Sequence, residues 1–251
     1  MSGATQSGGA VSRFASSLID LLDQVHYRRV SVSDQFDPVY RLRYEAYRRE
    51  AFIPVNSQKI TRDAFDDAQN CHCFGVYIED RLVSSIRLHI ATAQEPTSPS
   101  RLIWPDVLGG IIEAGGSYVD PSRFTADHDA SLAYPALPYL TLRMAVMACE
   151  YFGTSHCISS VRPEHGAFYR RVFGLEQMAG LGYWGELTFP VCLFGARIAT
   201  IYERTMVRFP FFMSTPDERE MLFGAGQLRP AVTPTARQAH RLRLLAANAT
   251  A

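Results

Sequence analysis

The chain has 251 residues, 25 Lys+Arg against 25 Asp+Glu, and 47% hydrophobic residues, so its formal net charge is zero. That length and balance suit one large soluble domain with extensions and give no basic stripe of the kind that nucleic-acid binding requires. Five cysteines at irregular spacing (Cys71, Cys73, Cys149, Cys157 and Cys192) argue against a disulfide framework and for a reducing cytoplasm, and no run approaches the ~18 apolar residues of a membrane span.

The first ten residues, small and polar, read as a disordered leader without the apolar centre of a signal peptide. Residues 12–25 carry Phe14, Leu18, Leu21, Leu22 and Val25 at spacings of three and four, which predicts an amphipathic helix. Residues 27–33 alternate like a short strand. Asp37-Pro38 opens a helix over 37–52, an N-cap followed by proline at the first helical position. Residues 53–70 are loop-like, with an acidic cluster at Asp63, Asp66 and Asp67. Strands are expected over 72–79 and 81–91, joined by a tight hairpin at Asp80. Residues 92–106, rich in Pro and Ser, read as a loop. Residues 116–126 form the next strand, with Pro121 as a break point.

Residues 127–136 read as a loop before a long helix over 137–153, closed by Gly153. A strand over 155–163 and a helix over 164–175 follow. Residues 177–196 read as a β-arm and 198–212 as a helix. The order predicts an α/β domain over 11–213, one sheet with helices on two faces, and a partly helical C-terminal extension over 214–251.

Two local patterns raise chemical questions. The Cys71-His72-Cys73 cluster puts two thiols on one strand face, but no second pair completes a tetrahedral zinc set, so buried thiols are the expectation. The segment Ser117–Phe124, "SYVDPSRF", ends a strand with Asp120 and Arg123 side by side. This is either a capped strand end with a local ion pair or an active site.

Four segments in order carry a resemblance to the GNAT acyltransferases, closest to the branch of acyl-homoserine-lactone (autoinducer) synthases and long-chain N-acyl amino acid synthases. "RLRYEAYRRE" is similar to the branch's Leu-Arg-x-x-aromatic helix and places Arg43 and Tyr47. "RDAFDD" reproduces an Asp-x-x-Asp pair at Asp63 and Asp66. "LVSSIRL" resembles the strand that places Arg87. "VDPSRF" resembles Glu-x-x-Arg-Phe, with Asp120 in place of Glu and with Arg123 and Phe124 retained. The segment 161–180 resembles the N-acyl amino acid synthases more than the lactone synthases, whose Trp after the first helix is missing.

The resemblance implies a central mixed sheet splayed in its middle and a direct transfer of a medium or long acyl chain to an amine, with no cofactor and no metal. It implies Asp120 and Asp66 as proton acceptors and Arg87 or Arg123 as the guanidinium for the carboxylate of an amino-acid acceptor. Arg43 is expected to pair with Asp63 or Asp66 and shape an amino-terminal lid; Tyr47 and Phe124 complete the substrate-binding set. The segment after Arg123 lacks the glycine-rich turn that cradles a nucleotide pyrophosphate, which implies an acyl carrier protein as donor. Arg143, Arg170 and Arg171 are the expected contacts for that acidic partner, and peripheral membrane contact is compatible with a lipid product. The alternatives are a lactone-type autoinducer synthase and a non-catalytic acyl-binding module of the same fold.

Overall fold

A computed structural model describes residues 13–183 and 188–224. Helix α1 (Arg13–Leu22) leads into strand β1 (Val25–Arg29). Helix α2 (Pro38–Arg49) begins as Asp37-Pro38 predicts, the Asp37 side chain accepting from the Val39 N–H. A 3₁₀ turn (Ala64–Asp67) precedes β2 (Cys71–Ile78) and β3 (Arg81–Ala91). Ile78 pairs with Arg81, so the hairpin turn is Glu79-Asp80, both at positive φ as a primed two-residue turn requires.

Helix α3 (Pro99–Ile103) stands within the segment that reads as a loop, and α4 (Pro105–Glu113) begins at that segment's end and fills residues the sequence leaves unassigned. Pro99 and Pro105 look like breakers in the sequence, but each lies in the first turn of its helix, where proline has no N–H to lose. Strand β4 (Tyr118–Ala126) follows, then α5 (His128–Ala133), a further helix where a loop is expected. Asp127 caps it by accepting from the Ala130 N–H at 2.9 Å. The long α6 (Leu137–Phe152) ends at Gly153, whose φ of +60° is the left-handed C-cap glycine favours. Then come β5 (His156–Val161), α7 (Gly166–Phe173), β6 (Glu176–Gly182) and β7 (Val191–Arg197). The expected β-arm is thus two strands. Helix α8 (Ile198–Arg208) stops before Pro210, and α9 (Pro216–Phe223) closes the described chain. The leader over 1–10 and the end of the C-terminal extension lie outside the described residues.

Among the described residues the strands form one sheet in the order β1-β2-β3-β4-β5-β7-β6. Every neighbouring pair is antiparallel except β4 and β5, which run parallel. That parallel pair is short: only Tyr118 and Val119 find partners, His156 and Cys157. Pro121 has no N–H to offer a ladder, and beyond it the strands diverge. The main core lies on one face of the sheet, where Leu140, Met144 and Met147 of α6 pack with Phe74, Ile86, Leu88 and Val119. On the other face Val39 and Tyr40 of α2 cover Cys73, and Leu108 of α4 covers Tyr118 and Ile158.

Arg143 corrects a sequence expectation. It is fully buried on α6, so it meets no carrier protein. Its guanidinium grips Glu218 of α9 at 2.5 and 2.9 Å and donates to the carbonyls of Phe211 and Met213. This fully desolvated pair ties α9, part of the sequence-defined extension, onto the core. Removing one partner strands a buried charge, at a cost of about 3–5 kcal/mol. Arg143→Met is therefore expected to lower the urea unfolding free energy by that amount. Arg143→Met with Glu218→Leu is expected to recover most of it.

Two buried histidines give a pH dependence. Burial, with Arg29 and His89 nearby, pushes His72 down to about 3; burial and Arg87 push His89 down to about 4. The unfolded chain binds protons at both sites below ~6.5 while the folded chain does not. Their stabilisation is present above that pH and is lost as pH falls toward 4, with a limiting slope of roughly 2.7 kcal/mol per pH unit for two protons. His72 packs against the rings of Phe152 and Phe223, which also touch each other, so His72→Phe is expected to fit. In thermal melts between pH 6.5 and 5, this variant is expected to lose less Tm than the wild type.

Candidate active site

The site is built over the splay. On its amino-terminal side, the Asp-x-x-Asp pair is first a local device. The Asp63 carboxylate accepts from the Phe65 N–H at 2.9 Å, and the Asp66 carboxylate accepts from the Asp63 N–H at 3.0 Å, a reciprocal cap on the 3₁₀ turn. Their remaining capacity goes to three arginines. Arg43 of α2 meets Asp66 at 2.8 Å and donates to Cys73 Sγ at 3.0 Å. Arg87 of β3 meets Asp63 at 2.6 Å and Asp66 at 3.0 Å, and its Nε donates to Ser122 Oγ at 3.1 Å. Arg123 of β4 meets Asp63 at 2.6 Å and lies over the Tyr47 ring.

Burial works to raise both carboxyls, and the arginines outweigh it. Arg87 and Arg123 hold Asp63 at about 2. Arg43 and Arg87 hold Asp66 below the usual carboxylate range. Asp66 is thus a poor proton acceptor and an anchor instead, which corrects its expected catalytic role. Arg43 and Arg87 are fully buried. They lie beneath the site rather than on its surface, so their expected substrate-binding role becomes support. The expected pairing of Arg43 with Asp66 is present.

Arg123 has φ +52°, a left-handed backbone at a non-glycine residue. Such a conformation costs on the order of 1–3 kcal/mol unless its surroundings compel it. Here a β-bulge compels it: between the pairs Ser85–Thr125 and Arg87–Ser122, β4 has two residues against one on β3. The bulge bends β4 away from β5 and turns residues 122–126 toward the gap.

That gap is a cavity of about 680 Å³. Tyr47 and Phe52, the bulged residues Ser122–Ala126, Ser159–Val161 of β5 with Arg162 just beyond it, and Phe189 are among its walls. Tyr47, Arg123 and Phe124, all expected site residues, therefore reach it. A second, apolar cavity of about 50 Å³ shares Pro121, Leu142, Ser159 and Tyr169 with the first and runs on among Ile198, Ile201 and Met206.

Asp120 is placed differently from expectation. It is fully buried and does not line the cavity. Burial pushes its carboxyl up, against the opposing hydrogen bonds from Ser100. Ser100 N–H donates to Oδ2 at 2.9 Å and Ser100 Oγ donates to Oδ1 at 2.7 Å. Ser100 in turn lies 2.5 Å from Ser160 Oγ, and both serines line the cavity. Sequence reasoning missed Ser100 because residues 92–106 read as a loop, and Ser160 because nothing in its strand sets one serine apart. It also missed Arg162, whose guanidinium lies 5.2 Å from the Phe52 ring centre and 5.7 Å from that of Phe189. An arginine at the end of a strand and before a proline was the available signal. Cys71 and Cys73 share a strand face as expected, and among the described residues no group of three His, Cys, Asp or Glu side chains is arranged to hold a metal.

None of the curated proteins matches the chain in sequence. Among solved structures, it is similar to FeeM, an N-acyl amino acid synthase from uncultured soil microbes, at 18% identity and TM-score 0.59, covering 76% of this chain and 98% of that one. It is similar to MesI, a CoA-dependent acyl-homoserine lactone synthase, at 15% identity and TM-score 0.52, covering 75% and 96%. It is also similar to the acyl-homoserine lactone synthase LasI at 15% identity and TM-score 0.50, covering 71% and 93%. These likenesses give the GNAT-like fold. Residues 38–197 match the profile of the family described as N-acyl amino acid synthase FeeM, and that span holds the arginine–aspartate network, the bulge and both strands of the splay. The chain belongs to the FeeM family of N-acyl amino acid synthases and is an acyltransferase.

Proposed function

We propose that the protein transfers a medium or long acyl chain from acyl carrier protein to the α-amine of an amino acid, releasing the carrier thiol and an N-acyl amino acid. The observation that carries this reading is the paired cavity: a wide opening at the splay, largely apolar with Ser100, Ser160, Arg123 and Arg162 on its walls, continued by a narrow apolar one. The thioester enters the opening and its chain runs into the apolar part. The bulged backbone of residues 122–125 offers N–H groups for the oxyanion of the tetrahedral intermediate. Attack is direct, with no covalent enzyme intermediate, and Asp120 is the ultimate acceptor of the amine proton.

The donor assignment rests on the segment between β4 and α6. Residues 127–136 contain no glycine and are occupied by a capped helix, so a glycine-rich pyrophosphate cradle is missing there. Arg170 and Arg171 are exposed on α7, and Arg208 joins them by donating to the Arg171 carbonyl at 3.2 Å. This basic face suits an acidic carrier. We assign the reaction to the cytoplasm, where a protein with five free thiols and a carrier-bound substrate are both at home. No helix among the described residues is long and apolar enough to cross a membrane.

For the acceptor carboxylate we assign Arg162, with Arg123 beside it. Both line the cavity, whereas Arg87 is buried below it. The Arg162 guanidinium lies beside two rings, with its Nε 3.2 Å from Glu164 and one terminal nitrogen 2.9 Å from His165 Nε2, and its other terminal nitrogen is the donor we assign to the carboxylate.

Thiol release from dodecanoyl-carrier protein and from dodecanoyl-CoA, each with the twenty protein amino acids, tests the reading. Mass spectrometry identifies the product. The expected outcome is amine-dependent release, faster from the carrier protein, and an N-dodecanoyl amino acid. An acyl-lactone from extracts of expressing cells, or tight acyl binding without turnover, overturns it. Arg162→Ala is expected to raise the acceptor KM by ~10–100-fold, the worth of a charged hydrogen-bonded pair, and to leave the donor KM unchanged.

A further inference from the structure

We propose that Ser160 and Ser100 form a proton relay between the cavity and the buried Asp120, with Ser160 the group that touches the reacting amine. The inference rests on the transferase reading above and specifies how its base works.

The hydrogen-bond directions fix the wire. A serine has one hydroxyl proton. Ser100 gives its proton to Asp120 Oδ1, at 2.7 Å. In the 2.5 Å contact with Ser160, Ser100 must therefore accept and Ser160 must donate. Ser160 has then spent its proton inward and keeps lone pairs for the cavity, which it lines. The three groups come from three elements, β5, α3 and β4, and bridge the place where the two strands part. Both Asp120 oxygens are taken by Ser100, through its N–H and its hydroxyl. Ser98 also bonds to the carboxylate, but it lies against the Tyr118 hydroxyl at 3.1 Å and does not line the cavity, so the route from the fully buried carboxylate to substrate runs through Ser100.

The surroundings suit a proton acceptor. Arg87 and His89 of β3, Tyr118 of β4 and Cys157 of β5 are the charged and titratable groups about Asp120. Arg87 lies between Asp63 and Asp66, so much of its charge is answered elsewhere. Burial then leaves the Asp120 carboxyl raised, closer to working pH than either network aspartate. A useful base has its pKa near the operating pH.

The step balances as follows. The free-base amine attacks the thioester carbon, the C–N bond forms, and the carbonyl electrons move to oxygen. The nitrogen, now cationic, gives a proton to Ser160 Oγ. Ser160 passes its own proton to Ser100, and Ser100 passes its own to Asp120. Collapse breaks the C–S bond and places the electron pair on sulfur. The proton returns from Asp120 along the same wire to that sulfur, giving the thiol and restoring both serines.

The assay is thiol release from dodecanoyl-carrier protein with the twenty protein amino acids, on Ser160→Ala, Ser160→Thr, Ser100→Ala, Asp120→Asn and the double variant Ser160→Ala/Asp120→Asn, each checked by thermal melting. General-base loss is worth ~10²–10⁴-fold. Ser160→Ala is expected to lose at least tenfold in kcat with both KM values within twofold. Ser160→Thr, which keeps the hydroxyl, is expected to regain most of it. The double variant is expected to fall no further than Asp120→Asn, because members of one unit are not additive. Ser100→Ala is expected to follow Ser160→Ala; if it fails to fold, the Ser160 series decides alone. Ser160→Ala at near wild-type kcat beside a crippled Asp120→Asn overturns the relay and leaves the transferase reading standing. A wild-type protein that releases no thiol when amine is added overturns both.

Discussion

Five charges in a small volume organise the amino-terminal half of this fold. Arg43, Arg87 and Arg123 surround Asp63 and Asp66. Four of the five side chains are nine-tenths or more withdrawn from solvent. Desolvating each charge costs several kcal/mol, so the cluster persists only because its hydrogen bonds are made together. It joins α2, the 3₁₀ turn, β3 and β4. The same contacts hold Arg123 at its left-handed backbone angle, and so hold the bulge. The bulge is what turns residues 122–126 toward the gap. A network that looks like a binding site for an acidic ligand is thus the footing on which the site stands: Arg43 and Arg87 are spent beneath it, and Arg123 alone of the three reaches the cavity.

Much of this was legible in the sequence because the residues concerned act through local chemistry. Asp37-Pro38 announces α2, and Asp63 and Asp66 sit at the spacing of a reciprocal cap. Arg87 and Arg123 belong to strands whose alternation is plain, and Pro121 marks the end of the β4–β5 ladder. What remained hidden depends on contacts between distant segments. Residues 99–113 carry two prolines and Gly109-Gly110, so local propensity speaks against the helices that tertiary packing of Leu108 stabilises. Ser100 gains its meaning only when α3 is laid beside β4, and Ser160 only when β5 closes on both. The burial of Arg143 likewise depends on Glu218, seventy-five residues further on.

Asp120 shows how surroundings set the behaviour of an acid. Its carboxylate ends inside the protein, and Ser100 lies between it and the cavity. The buried network and the buried base therefore divide the acidic groups by environment. Asp63 and Asp66 face guanidiniums and stay ionised. Asp120 faces neutral hydroxyl and amide donors and is pushed upward. Acids of one kind in one site acquire opposite roles through their neighbours.

The same division explains why the site lies at the parting of β4 and β5 and not elsewhere along the sheet. Antiparallel neighbours on either side are paired along their length and close the backbone to substrate. At the parallel pair, two rungs secure the strands near Tyr118, and the strands are then free to diverge. Among the described residues, the bulged backbone, the apolar continuation and the serines of the proposed relay meet there. The strain at Arg123 and the narrow ladder both weaken the sheet locally. The ion network on one face and the α6 core on the other compensate for that weakness, and the proposed transfer depends on that support, because direct attack demands reacting atoms held at ~3–3.5 Å.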